Sequence, residues 1–252
     1  MTNVKMRNVS LDVHTQFIMT KTAFIVLFTV SFGLLYSKNY SCQEIKYGAI
    51  FSIPELGSVY LPKSYSVDKK YPLLVVLYPR FGSSDVEFIG NFTYEAEKRE
   101  IIVIAPKDYD VTRKYPDTKK IKKMIVAIKK KCSIDSKKVL LYGFSSGGSF
   151  THEVVAVNKD KRGEKIITAY CSVSGGAEYN FDYSFIRKDC IPQYLKIPAY
   201  FIWGKMEESQ AEKETADFLL KKGWDVTVRV HDGGHYIPNG SINEVLNWFQ
   251  SK

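Results

Sequence analysis

The sequence predicts an α/β fold built on a mainly parallel, doubly wound sheet with helices on both faces. Three observations carry that expectation. From Ile45 onward, short apolar β-branched runs alternate with segments of helical period. Several runs are apolar without a break, as in Pro72–Tyr78 and Ile101–Pro106, which is the pattern of strands buried on both faces. One run, Val139–Tyr142, ends in Gly143-Phe144-Ser145-Ser146-Gly147 and leads into a helix-capable segment. The chain has 252 residues, 45% hydrophobic and 25% charged, enough to build a sizeable core. No repeat or interdomain linker interrupts it, so residues 42–252 are expected to form a single domain.

Taken in order, Tyr47–Phe51 and Gly57–Leu61 are short strand candidates, split by Pro54 and ended by Pro62. The Pro72–Tyr78 strand is followed by a loop, Pro79-Arg80-Phe81-Gly82-Ser83-Ser84. After the Ile101–Pro106 strand, Asp117–Lys131 carries Ile121, Met124, Ile125 and Ile128 at helical spacing with lysines between them. The serine-bearing strand comes next, then a helix over Ser146–Val157 and buried strands over Ile166–Val173 and Ile197–Trp203. A helix over Ala211–Lys222, a strand over Asp225–Val230 and a helix over Ile242–Gln250 close the chain. Only about twenty residues separate Val173 from Ile197, so any lid is expected to be small and the fold to have little or no cap.

The amino end reads as a targeting segment. Ala23–Tyr36 is uncharged and apolar, short for a membrane span of about 20 residues and suited to the core of a signal peptide. Residues 1–41 are therefore expected to be a signal peptide or membrane anchor, with Met19 as a second candidate start. Cys42 adds a lipid-anchored reading, although no leucine stands three residues before it. In each case the body is expected to be exported, and membrane contact is expected only through this segment, if it is uncleaved or lipidated. The four cysteines, Cys42, Cys132, Cys171 and Cys190, have no metal-ligand spacing. A bridge between Cys171 and Cys190 and a set of free buried thiols are equally open readings. The net charge of +9 comes largely from lysine doublets and triplets such as Lys129-Lys130-Lys131. These read as the wet side of a helix, and no nucleic-acid partner is expected.

The chemistry-bearing residues fall at the carboxyl ends of strands, where doubly wound sheets collect their sites. Gly-x-Ser-x-Gly after a strand is the layout of a nucleophile elbow, with Ser145 at its tip. A serine hydroxyl is a weak nucleophile unless an imidazole takes its proton, and the imidazole needs a carboxylate to set its tautomer. His235, in Asp232-Gly233-Gly234-His235, is the expected base, since His231 sits inside the last strand. Glu207 and Glu208, just past the Ala199–Trp203 strand, are the candidate acids, with Asp182 a distant third. The oxyanion donors are expected to be the Ser146 amide and an amide of Arg80 or Phe81. Tyr78 and Phe81 are candidates for the acyl pocket. No metal motif, phosphate-cradling loop or dinucleotide fingerprint is present, so no cofactor is expected.

With these residues in hand, the chain resembles the α/β-hydrolases, in particular the secreted esterases that include polyhydroxybutyrate depolymerases, feruloyl esterases and esterase-D-like enzymes. The likeness covers the body from about residue 46 to the end. It rests on Val59–Tyr65, Tyr71–Val75, Ile134-Asp135, Gly143–Gly148 and Gly233-Gly234-His235. The resemblance implies the order nucleophile, acid, histidine, which Ser145, Glu207 and His235 follow. Two departures stand out. The family's oxyanion loop begins His-Gly, where this chain has Tyr78-Pro79. The family's acid is usually Asp, three residues past the glycine ending its strand; counting from Gly204 gives Glu207.

The expectation is an exported serine hydrolase that cleaves carboxylic esters through an acyl-enzyme, with bulky or polymeric esters as the substrates that analogy favours. Its activity is expected to rise between roughly pH 6 and 7 as the base histidine loses its proton. A peptidase or acyltransferase on the same fold is the alternative of similar chemistry. A catalytically silent binding protein, favoured by Tyr78-Pro79, is the alternative of a different class.

Overall fold

The computed structural model describes residues 41–54, 56–79, 83–107, 109, 118–177, 191–207 and 210–252. The targeting segment, apart from Ser41, lies outside them, as do Arg80, Phe81, Asp182, Cys190 and Glu208.

Among the described residues a single sheet has eight strands: β1 (Ile50–Ile53), β2 (Gly57–Tyr60), β3 (Tyr71–Leu77), β4 (Ile102–Pro106), β5 (Ile134–Phe144), β6 (Ala169–Val173), β7 (Ala199–Gly204) and β8 (Val226–His231). Their spatial order is β1-β2-β4-β3-β5-β6-β7-β8. The first two strands run antiparallel, and the remaining pairs, from β4 through β8, are parallel. Among the described residues six α-helices accompany them: α1 (Asp85–Gly90), α2 (Thr93–Arg99), α3 (Thr118–Lys131), α4 (Ser146–Ala156), α5 (Ala211–Lys221) and α6 (Ser241–Gln250).

The central strands are mostly apolar where both faces are covered, as in Leu73–Leu77 of β3, Ile102–Ala105 of β4 and Val139–Tyr142 of β5. On one face Leu74, Val76, Val103, Leu140, Tyr142 and Cys171 pack with Phe88 and Ile89 of α1 and with Val245, Leu246 and Phe249 of α6. Alternation along each strand sends Leu73, Val75, Leu141 and Phe201 to the opposite face. There His152 of α4 stacks on Phe201 and meets Tyr170 edge-on. In α3 the buried residues are Ile121, Met124, Ile125 and Ile128, as their spacing predicts, and the lysines occupy the other side.

The elements follow the sequence reading with a few differences. β5 begins at Ile134, before the expected start, because Tyr71 pairs with Ile134 ahead of a register shift. β6 begins at Ala169 and not at Ile166, because the Asn158 side chain ties up this stretch: its Oδ1 accepts from the amides of Ile166 and Ile167 and its Nδ2 donates to the Ile167 carbonyl. Helices α1 and α2 carry no expected counterpart.

The cysteine pairing needs a correction. The bridge joins Cys42 to Cys132, 90 residues apart. Cys171 is a buried free thiol in β6, in register between Tyr142 and Tyr200 and packed into the core, where burial pushes its pKa well up. The Cys42–Cys132 bridge fastens the start of the body to the residue after α3. Closing a loop of that length contributes about 4–5 kcal/mol in the chain-entropy account.

Candidate active site

Ser145 lies between the last residue of β5 and the first of α4, with φ 57° and ψ −125°. A non-glycine residue in that region is strained and persists only where its surroundings hold it. Here the Ser145 amide donates to the Val173 carbonyl at 2.8 Å, and the Ser145 carbonyl accepts the Ser149 amide at 3.0 Å. The glycines at either side make the turn sterically feasible. A Cβ on Gly143 would collide with the Gly147 carbonyl, and a Cβ on Gly147 with the carbonyls of Leu77 and Tyr78. The same close approach brings the end of β3 against the first turn of α4.

The acid and histidine arrive on neighbouring loops at the carboxyl ends of β7 and β8. These loops are fastened together: the Lys205 amide donates to the His231 carbonyl and the Met206 amide to the Gly233 carbonyl. Lys205 Nζ adds a surface ion pair with Asp232. His235 Nε2 then lies 2.8 Å from Ser145 Oγ, and His235 Nδ1 lies 3.1 Å from Glu207 Oε2. A carboxylate only accepts hydrogen bonds, so Nδ1 carries the proton and the Nε2 lone pair faces the serine hydroxyl.

The burial is asymmetric in a useful way. The Glu207 side chain is 5% exposed, whereas that of His235 is 53% exposed. The carboxylate is thus shielded beneath an imidazole that faces outward. Burial acts to raise the Glu207 pKa, but hydrogen bonds from His235, the Gly204 amide and Ser174 outweigh it and hold the carboxyl below its ordinary value. The hydrogen bond to Glu207 raises the His235 pKa, against a smaller opposing effect of burial. Phe144, immediately before the serine, lies beside the imidazole with ring centroids 5.2 Å apart.

Ser145, Glu207 and His235 are therefore brought together. Ser146 is the first residue of α4, where the helix dipole favours negative charge. Tyr78 packs against Tyr109, whose hydroxyl donates to the Tyr78 carbonyl, and Tyr109 in turn stacks on Phe150 of α4. His231 ends β8, and its Nδ1 accepts from the Gly233 amide at 3.2 Å, so it supports the turn that carries His235. One residue of this neighbourhood escapes the sequence reading altogether. Ser174, just past β6, donates from its hydroxyl to Glu207 Oε1 at 2.7 Å. Among the described residues no cluster of histidine, cysteine, aspartate or glutamate could hold a metal ion.

No protein-family model matches the chain, and no curated protein matches it by sequence. Solved structures do match. The serine hydrolase FphF of Staphylococcus aureus, described as fluorophosphonate-binding, aligns at 15% identity and TM-score 0.61 over 80% of this chain and 96% of its own. The hyperthermophilic esterase from the archaeon Pyrobaculum calidifontis aligns at 13% identity and TM-score 0.60, over 96% of this chain and 94% of its own. A dipeptidyl peptidase 4 from Porphyromonas gingivalis matches 81% of this chain at 14% identity and TM-score 0.61, but only 34% of its own length. The fold is that of the α/β-hydrolases.

Proposed function

We propose that the protein is a serine hydrolase that cleaves carboxylic esters through an acyl-enzyme. The observation that carries this reading is the line of contacts from Glu207 through His235 to Ser145, at 3.1 and 2.8 Å. In the first step Ser145 Oγ attacks the ester carbonyl carbon while its proton passes to His235 Nε2. The tetrahedral intermediate places negative charge on the former carbonyl oxygen. The Ser146 amide, at the start of α4, is the first donor in this reading, and an amide of Arg80 or Phe81 the second. Collapse breaks the bond to the alcohol oxygen, which leaves with the proton from Nε2. Water then repeats the sequence on the acyl-enzyme and releases the acid. Glu207 keeps Nδ1 protonated and stabilises the imidazolium in each half-reaction.

The aligned contacts favour catalysis over a silent binding role, because a merely structural serine does not need an oriented imidazole. The presence of peptidases among the similar folds keeps amides as a second substrate class. Matched ester and anilide substrates of the same acyl group separate the two. The same proposal sets the enzyme outside the reducing cytoplasm, on the support of the Cys42–Cys132 bridge and the apolar run Ala23–Tyr36. With its sulfur in that bridge, Cys42 has no thiol for a lipid, so a cleaved signal or an uncleaved anchor is the better reading.

Hydrolysis of p-nitrophenyl acetate by the full chain tests the chemistry. Ser145→Ala and His235→Ala are each expected to lose about 10⁴-fold or more in kcat/KM. Turnover by Ser145→Ala at the wild-type rate overturns the proposal.

A further inference from the structure

We propose that Ser174 is a positioning residue for this reaction, its hydroxyl holding the Glu207 carboxylate at the angle from which it reaches His235. The inference rests on the reading of Ser145, His235 and Glu207 given above.

The strand order sets the problem. The serine follows β5 and the glutamate follows β7, and β6 lies between them. Two inter-strand spacings amount to roughly 10 Å, so the acid needs a fixed reference on the intervening strand. The end of β6 supplies one. The Val173 carbonyl accepts the Ser145 amide, and the next residue, Ser174, sends its own amide to Ile202 of β7 and its hydroxyl to Glu207. One dipeptide therefore touches both the nucleophile and the acid.

A glutamate also has more to fix than an aspartate. Its extra methylene adds a rotatable bond, and the hydrogen bond its carboxylate accepts within its own turn, from the Gly204 amide at 2.7 Å on Oε1, comes from only three residues away. The Ser174 hydroxyl meets the same oxygen at 2.7 Å. With Oε1 held by two donors, Oε2 is left turned to His235 Nδ1. Ser174 does this without facing the substrate, since it is 4% exposed.

The backbone offers an independent sign. Ser174 has φ 51°, a left-handed conformation that glycine adopts freely and serine does not. The following turn is wedged on α4: a Cβ on Gly175 would collide with the Ser149 amide nitrogen, and His152 Nε2 donates to the Gly175 carbonyl at 3.0 Å. A glycine at position 174 would relieve the strain but remove the hydroxyl. The side chain is therefore retained at a conformational cost, which ties that cost to the contact it makes.

The test compares Ser174→Gly in the wild-type and Glu207→Gln backgrounds, in the full chain with p-nitrophenyl acetate, alongside thermal melting. The expected result is an about tenfold fall in kcat with KM within twofold and no drop in Tm. In the Glu207→Gln background the same change is expected to cost less than twofold, because the carboxylate it orients is gone. Ser174→Ala, which keeps the Cβ and lacks only the hydroxyl, is expected to lose kcat to the same degree. Activity within twofold of wild type in both Ser174 variants, or an equal loss in both backgrounds, overturns the inference. Ser145→Ala in the same assay separates the two failures. If it is inactive while Ser174→Gly is not, only the role of Ser174 falls; if it is fully active, the underlying reading falls as well.

Discussion

His152, within α4, and His235, on the loop between β8 and α6, show what a histidine's surroundings decide. His152 is inside α4, fully buried between Tyr170 and Phe201, with Nε2 donating to the Gly175 carbonyl. Its Nδ1 has no hydrogen-bond partner among the described residues. Burial takes water away without supplying a charge, so its pKa drops to about 4. His235 is half-exposed and faces a shielded carboxylate, and its pKa rises. The lesson is that burial alone makes an inert, neutral ring, whereas a carboxylate on Nδ1 makes a ring that can take a proton at Nε2 and hold it through a transition state.

The largest break in this contrast comes from Glu207→Gln. It removes the carboxylate that raises the His235 pKa and favours the required tautomer, and kcat is expected to fall by about 10²–10⁴-fold. The pH profile gives the sign. Only neutral His235 can accept the serine proton, so a raised pKa puts the acid limb of kcat/KM above the ordinary value near 6.5. In Glu207→Gln that limb moves to lower pH. An unmoved limb in a pH-rate titration would contradict the assignment of Glu207.

The next effect belongs to His152 and is read in stability. The unfolded chain takes up a proton near pH 6.5, while the folded chain refuses it until about pH 4. Stability from this group is therefore present above pH 6.5 and lost as pH falls through that window, on the order of 3 kcal/mol in all. Urea titrations at pH 7 and pH 4.5, on wild type and His152→Phe, isolate this contribution. The loss on acidification is expected to be smaller in the variant, and equal losses would contradict the buried-neutral account. The smallest effect is expected on catalysis itself: His152→Phe is expected to leave the acid limb of kcat/KM where it is, because the ring touches neither Ser145 nor Glu207.

How far the sequence reveals this depends on the range of each signal. The sheet is legible because β3, β4, β6, β7 and the Val139–Tyr142 part of β5 are short, mostly apolar runs whose character does not depend on distant partners. The elbow is legible because Gly-x-Ser-x-Gly is a local pattern and Gly143 answers a collision four residues away, although the collision that Gly147 avoids is with the distant Leu77 and Tyr78 carbonyls. Glu207 is reached through the family resemblance, which places the acid three residues past the glycine that ends β7, and His235 by its place after the last strand. Helices α1 and α2 are harder. The first is six residues long, although Ser84 and Glu87 spell a capping box in the sequence. The second buries only Ala96 and so shows no apolar stripe. Ser174 carries no motif, since its partner is 33 residues away and reaches it only through the order β5-β6-β7. The bridge between Cys42 and Cys132 is hidden for the same reason, as sequence spacing does not say which two of four thiols meet.

The central claim is that the hydroxyl at the elbow is an activated nucleophile, and covalent trapping tests it most directly. Intact-mass and peptide mass spectrometry after treatment with a fluorophosphonate are expected to show one adduct per chain, on the peptide bearing Ser145. Its rate of formation is expected to rise with pH as His235 becomes neutral, and the adduct is expected to vanish in Ser145→Ala. An unlabelled wild type, or equal labelling of Ser145→Ala, would contradict the account.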